Sequence, residues 1–327
     1  MNFSGNDSRF QIGKEATYGA ALTQPTQQLE ILNESVHQVN ISVESEALVG
    51  AVTTPFYSVV GVKVEGDVSI EVHPDNIGLL IAAALGKEAD VVGATAFTHS
   101  FTPAKGGDSL PSLAAVVDKK ADIFMYQGLK IDTMTLETDP GSLLTSSISF
   151  IGQKEGAGGS LVDALTPSTV NPFHFNHMYV YFGTAGAEAA TNIGQAVSFS
   201  FNYSNNLEND LFVADGTPYM AEIDYQKRDI TFDIETLYDD DINAYRAANY
   251  KTGEKLSVKV EFIHDQNVVS GTKYKLVLDM LNCVITEAPN DIGGAERMRI
   301  PLSFRALETG GDEAITIKVV NAEADKY

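Results

Sequence analysis

The run YSVVGVKVEGDVSIEVH (Tyr57–His73) places Val60, Val62, Val64, Val68, Ile70 and Val72 all on even positions. A period of two is the pleat of a β-strand with one apolar and one wet face, and it excludes an amphipathic helix, whose period is 3.6. The phase survives Gly66, so the segment reads as a long hairpin arm or bent strand with a single buried face. The same alternation, filled with Thr, Val, Ile, Phe and Tyr and punctuated by Gly, Pro, Asn and Asp, predicts strands over Gly128–Asp139, Leu143–Lys154, Ala196–Ser204, Lys227–Leu237, Lys255–Asp265, Lys273–Glu287 and Arg297–Leu307.

Two segments break this rhythm. Pro74–Gly86 carries Ile77, Leu80, Ile81, Ala84 and Leu85 at helical spacing, with an Asp/Asn start and a Gly stop. Asp239–Gly253 opens on acidic residues, which the helix dipole favours at an N-terminus, and is closed by Gly253. The chain is therefore mainly β, with one short helix in each half.

The halves resemble one another. GDVSIEVHPDNIGLLIAAALG (Gly66–Gly86) aligns with RDITFDIETLYDDDINAYRAANYKTG (Arg228–Gly253), pairing Asp67 with Asp229 through Val72 with Ile234, after which a three-residue shift aligns the helices. Upstream, TTPFY (Thr53–Tyr57) meets GTPY (Gly216–Tyr219); downstream, SFIGQKEG (Ser149–Gly156) meets SFRALETG (Ser303–Gly310). Landmarks in one order predict an internal duplication. The Gly- and Pro-bearing stretch that follows Gln153 suits a linker, which gives a first domain over 1–155, a linker over 156–172 and a second domain over 173–327.

Charge narrows the function. The net charge of −22 divides as −10 over residues 1–160 (9 basic, 19 acidic) and −12 over 161–327 (13 basic, 25 acidic). Acidity spread this evenly argues against attractive nucleic-acid binding, which needs a basic footprint, yet suits a surface that a polyanion must slide past. The single cysteine, Cys283, lies in an alternating run and reads as a buried, inert thiol. No apolar stretch approaches a membrane span and no secretory signal is legible, so an aqueous, cytoplasmic setting is expected.

The chemical inventory is thin. His174 and His177 in FHFNH have an HxxH look but lack a metalloprotease glutamate and a helical context, so they read as ordinary histidines at a strand edge. YDDDIN (Tyr238–Asn243) lacks the spacing of a calcium loop and reads as a helix cap. GAGG (Gly156–Gly159) is not followed by the residues of a phosphate loop, and no G-x-S-x-G nucleophile motif occurs. No catalytic, cofactor or metal site is expected. What stands out instead are two long inter-strand loops in matching places, ESEALVGAVTTPFY (Glu44–Tyr57) and NNLENDLFVADGTPY (Asn205–Tyr219), whose apolar residues favour contact with a partner.

IGKEATYGAAL followed by a proline, the strand-to-helix passage GDVSIEVHPDNIGLL ending in ALG, and the strand GLKIDTMTL resemble the tail tube proteins of long-tailed bacteriophages, most clearly over residues 10–155. The resemblance implies a β-sandwich flanked by a helix, with subunits closing into rings whose inner strands form one β-barrel around a DNA channel. The chain is about twice as long as a single-domain tube subunit, so it implies two tandem units. A ring with six positions then needs three chains, the competing arrangement being six chains with only one half lining the channel.

Several expectations follow from that resemblance. The polar N-terminal arm and the tail Gly310–Tyr327 are ordered only by neighbouring subunits. Rings stack through Leu48, Val49, Val52, Phe56 and Tyr57 of one loop and Leu211, Phe212, Val213 and Tyr219 of the other. Glu65, Glu71, Asp229, Asp233 and Glu235 are candidates for an acidic channel wall. Partners are further copies of the chain and other tail proteins (tape measure, tip, terminator), with DNA passing through unbound. The alternatives are a tail-tip or baseplate hub ring of the same fold, or a β-sandwich module that binds or cleaves a cell-surface polymer, against which the absence of Trp counts.

Overall fold

A computed structural model describes residues 4–22, 24–47, 49–50, 52–156, 159–289 and 297–327. The first half runs β1 (Arg9–Lys14), β2 (Gln27–Leu29), β3 (Ile31–Glu34), β4 (His37–Glu44), β5 (Tyr57–Glu71), α1 (Ile77–Leu85), β6 (Gly86–Glu88), β7 (Val92–Gly93), β8 (Phe97–Pro103), β9 (Leu113–Asp118), β10 (Ile123–Thr138), β11 (Thr145–Gly152) and β12 (Lys154–Gly156). The second runs β13 (Met178–Thr184), β14 (Thr191–Asn192), β15 (Ala196–Ser204), β16 (Asp229–Leu237), α2 (Asp240–Tyr245), β17 (Leu256–Val269), β18 (Thr272–Glu287), β19 (Arg299–Ala306) and β20 (Thr316–Asn321). The protein is mainly β, as the alternation predicts, and the strand ladders are antiparallel throughout.

One continuous sheet carries the architecture. Its order is β3 and β4 in line, then β5, β11, β10, β15, β16, β19 and the C-terminal part of β18. β10 and β18 are both long because each serves two ladders. The first part of β10 belongs to β2-β1-β9-β10-β12, and the first part of β18 to β14-β13-β17-β18-β20-β8.

The strand orders of the two halves match. β1, β2, β3 with β4, β5, α1, β9, β10, β11 and β12 correspond in order to β13, β14, β15, β16, α2, β17, β18, β19 and β20. Even the irregularities repeat: a bulge between Ile31 and Asn33 matches one between Ala196 and Ser198, and a bulge between Ile131 and Thr133 matches one between Ile285 and Glu287. The registers move one sequence pairing by four residues. Ser149 stands opposite Asp67 and Ser303 opposite Asp233, so aligning the two serines makes Asp233, not Asp229, the counterpart of Asp67. An even shift keeps every side chain on its face, which is why alternation alone cannot detect it.

The buried face of the sheet carries Val64, Val68 and Ile70 of β5 with Phe232 and Ile234 of β16, all within 1% of fully buried. They belong to one core cluster with Phe10 and Ile12 of β1, the whole of α1, and Leu276 and Leu278 of β18. Val60 keeps the even phase, yet it and its neighbour Val59 are exposed, because that end of β5 rises with β4 as a hairpin beyond the core. Gly66, at φ +148°, lets β5 pass Ser35 at the junction of β3 and β4; a Cβ there would lie 2.5 Å from the Ser35 carbonyl oxygen.

Both terminal expectations are overturned. The N-terminal arm is a core strand: β1 pairs with β2 and β9, and Phe10 and Ile12 are fully buried. The tail is likewise held within the chain, since β20 inserts between β18 and β8. Beyond it the Tyr327 hydroxyl accepts a 2.6 Å hydrogen bond from Asn321 Nδ2, and the ring packs against Gly78 of α1, where any Cβ would collide with it. Phe10 and Ile12 are an alternation too short to read with certainty, and the tail finds its partners some two hundred residues away.

The helices hold their expected places. α1 ends at Gly86 in the left-handed region, and α2 starts from Asp239, whose carboxylate accepts from Ile242 N at 2.8 Å before the chain widens into a π-type turn over Arg246–Tyr250. No described helix is long and apolar enough to cross a membrane.

Candidate assembly surfaces

The face of the sheet opposite the core is wet and built from small polar residues. Cross-strand rows run Ser69–Ser147 and Thr135–Asn202–Thr231–Arg305, and beside them Glu71–Thr145 and Glu137–Ser200–Asp233–Ser303. Glu65, Glu71, Asp229, Asp233 and Glu235 all lie on this face, at odd positions of β5 and β16 where the even residues turn inward. Three of them are neutralised locally: Glu65 by Lys63 at 2.7 Å, Asp229 by Arg305 at 3.3 Å and Glu235 by Arg299 at 3.4 Å. These are exposed pairs that contribute about 0–1 kcal/mol each. Glu71, with His73 Nε2 4.0 Å away, and Asp233 join Asp67 and Glu137 as the carboxylates that leave the face acidic.

The sheet ends in two open edges. Among the described residues no strand pairs with the outer side of β3 and β4, and past Cys283 the side of β18 away from β19 is also unpaired. An open polar groove of about 1130 Å³ runs beside β3, lined by Arg9, Glu30, Glu34, Lys120 and Asp163 among others. These edges are counterparts of strands that already pair inside the chain, because β15 corresponds to β3 and β4, β10 corresponds to β18, and β10 pairs with β15.

The two long loops are built differently. The first is the tip of the β4–β5 hairpin, where Val49, Val52, Phe56 and Tyr57 are 62%, 104%, 57% and 60% exposed, over a stem exposing Ile41, Val43, Val59 and Val60. Leu48 lies outside the described residues. The second loop folds back on the first half: Val62 N donates to Pro218 O at 2.7 Å, Phe212 packs on Gly61, and Lys154 sits over the Tyr219 ring at 5.0 Å. Its root is latched by the fully buried Lys130, which donates to Ile223 O at 2.6 Å and Glu222 Oε1 at 3.1 Å. Leu211 and Val213 remain exposed at its crest.

Two features outside the sheet complete the search for chemistry. Cys283 is fully buried, and burial pushes its thiol well above the ordinary range, which leaves it a poor nucleophile. His174 and His177 meet Asp265 of β17, a grouping that sequence spacing could not reveal because the carboxylate is supplied from another strand.

An eight-position sheet with one polar, acidic face, an apolar hairpin tip and two unpaired edges defines a structural β protein whose surfaces are made for assembly. A family model described as phage tail tube protein matches residues 5–306, and the chain belongs to that family. No curated protein matches it. Membership assigns a structural role in the phage tail, within the virion, in assembly with further copies of itself and with other tail proteins.

Proposed function

We propose that this chain is the major tail tube subunit of a long-tailed phage, assembled in the host cytoplasm, and that three copies close into a ring whose inner barrel conducts DNA. The single observation that carries the reading is the equivalence of the open edges to the internal β10–β15 ladder. Two tube-fold units, 1–155 and 173–327, joined by 156–172, present the same pairing surfaces twice, once satisfied within the chain and once left over. Carrying the β10–β15 register through the matched bulges sets Glu287 of one copy opposite Val39 of the next and Ala288 opposite Gln38. Such a contact is heterologous, and a heterologous contact whose rotation closes gives a ring.

Eight strand positions in each of three copies make a barrel of about 24 strands. At a spacing of about 4.8 Å and a tilt of about 40° it closes at about 48 Å across the backbone. Sixteen to eighteen strands already leave an aqueous channel, so this wall admits a duplex. The polar face then lines the lumen, where hydroxyls, amides and unpaired carboxylates offer a polyanion nothing to grip. The apolar β4–β5 tip makes the ring-to-ring contact, and the second loop buttresses its stem, with Leu211 and Val213 added at the crest. Tape measure, tip and terminator proteins are the expected tail partners. Negative-stain microscopy of the purified chain at high concentration tests the reading: long hollow tubes support it, whereas isolated rings that never stack would indicate a hub.

A further inference from the structure

We propose that His174, His177 and Asp265 form a binding site for a divalent first-row transition ion of the zinc class. His174 caps, and His177 ends, the one-turn helix Phe175–His177 by which the chain enters its second half, and Asp265 belongs to β17. One candidate ligand atom from each residue lies within 4.8 Å of the other two. His177 Nε2 and Asp265 Oδ2 are 3.4 Å apart, which is the edge of a tetrahedron whose ligands sit about 2.0–2.1 Å from a central ion. The rings of His174 and His177 are stacked with centroids 3.5 Å apart, which keeps the two imidazoles side by side.

The state of the groups fits a cation better than a hydrogen-bond network. The His177 side chain is 4% exposed, yet its Nε2 has no hydrogen-bond partner among the described residues. That nitrogen faces the Asp265 carboxylate at 3.4 Å, a spacing that serves a direct ion pair and equally two ligands of one shared ion. His264 supports the site without joining it, since its Nε2 faces Asn171 O at 3.0 Å and its Nδ1 accepts from Gln266 N at 2.9 Å.

Two imidazoles and one carboxylate without a thiolate select zinc, cobalt or nickel over magnesium or calcium, which prefer an all-oxygen shell. Asp265 is 82% exposed at its side chain, so the open side leaves a fourth position for water. Binding requires the His177 proton to reside on Nδ1, which gives up the long 3.3 Å contact from His174 N. The ion would tie the entry to the second half onto β17.

The site is remote from the edges and tip that carry the tube reading, so either can fail without the other. The test is titration of the untagged, metal-stripped full chain with Co²⁺, followed by the visible d–d absorption of tetrahedral cobalt, then displacement by Zn²⁺. One saturable Co²⁺ per chain is expected, unaffected by millimolar Mg²⁺, with affinity reduced tenfold or more in His174→Ala and in Asp265→Asn. His37→Gln, an exposed histidine elsewhere, should bind as the parent does. Absence of saturable binding in the folded parent chain would overturn the site, as would undiminished binding in both ligand variants or loss of binding in His37→Gln.

Discussion

Thr133 of β10 stands directly opposite Ser204 of β15, and the ladder that begins there joins the two halves of the chain into one sheet. Antiparallel partners are seldom so informative about assembly. Here the same two strand types recur, among the described residues, as unpaired edges at the ends of the sheet, and the proposed ring takes the intramolecular contact as its template. Exposed edges of this kind invite pairing with another chain, and the proposed ring uses them for that.

The hairpin tip should control stacking without controlling folding. Val52→Asp combined with Phe56→Ser alters two side chains that are 104% and 57% exposed, and surface changes of this sort usually shift stability by about 0.5 kcal/mol or less. Thermal melting should be close to that of the parent, while long tubes disappear from electron micrographs. Replacing Leu211 and Val213 with serine should have a weaker effect, because that loop is tied to the first half. Normal tubes from the hairpin variant would remove the tip from the stacking contact.

Reversing charge on the polar face should make the tube adhesive to DNA. Glu71→Lys with Asp233→Lys converts two carboxylates that, among the described residues, have no basic partner at salt-bridge distance other than the His73 ring. Lysine on a channel wall replaces counterions condensed on phosphate, so retention of short duplexes by variant tubes should fall steeply with salt. Parent tubes should retain none at physiological ionic strength. Equal retention by both would show that the face does not line the passage.

The tail contact should be measurable as coupling between Tyr327 and Gly78. Tyr327→Ala removes a largely buried ring and should cost about 3 kcal/mol in urea unfolding. Gly78→Ala alone should also destabilise, since its new Cβ collides with that ring, but it should be nearly silent in the Tyr327→Ala background. A double-mutant coupling below about 0.5 kcal/mol would deny the contact.

Glu15 gives a pH-dependent signature. Burial, opposed by hydrogen bonds from Gly128 N at 2.8 Å and Gly19 N at 2.9 Å, raises its carboxyl above the ordinary glutamate range. The folded state therefore holds this proton more tightly than the unfolded chain. Its stabilising contribution is complete below the unfolded value of about 4.3 and is lost as pH rises through the folded value. Relative to Glu15→Gln, the parent should lose stability between pH 4 and pH 7 in urea titrations. A difference independent of pH, or one of opposite sign, would contradict the assignment.

How much of this was legible in sequence depended on whether a signal was local. Strands with one wet face announced themselves through alternation, and Ala196–Ser204 was read with the same limits the fold has. β9 escaped because LAAVVD is buried on both sides, leaving no alternation to detect. β1 escaped because only Phe10 and Ile12 carry its pattern. The likeness of the halves shows in the sequence, but the ladders set it four residues from the sequence pairing, a shift to which a period of two is blind. The polar positions of Glu65, Glu71, Asp229, Asp233 and Glu235 followed from parity, whereas the pairing of Asp229 with Arg305 and of Glu235 with Arg299 depended on cross-strand register. The fold-back of Phe212 and Tyr219 onto β5, and the meeting of His177 with Asp265, rest on contacts between distant segments that no local pattern records.

The ring itself is tested most directly by covalent capture of its seam. Residues directly opposite one another in an antiparallel pair have Cα atoms about 4.5–5.5 Å apart, within the range of about 4.4–6.8 Å that a disulfide spans. The only native cysteine, Cys283, is buried and out of competition. Val39→Cys with Glu287→Cys should therefore oxidise into a closed ring, and native mass spectrometry of that species should return the mass of three chains, reverting to one chain on reduction. A ring of six chains would relegate one half to the outside of the tube, and failure of the folded, oxidised double variant to crosslink would contradict the shared register of the internal and external seams.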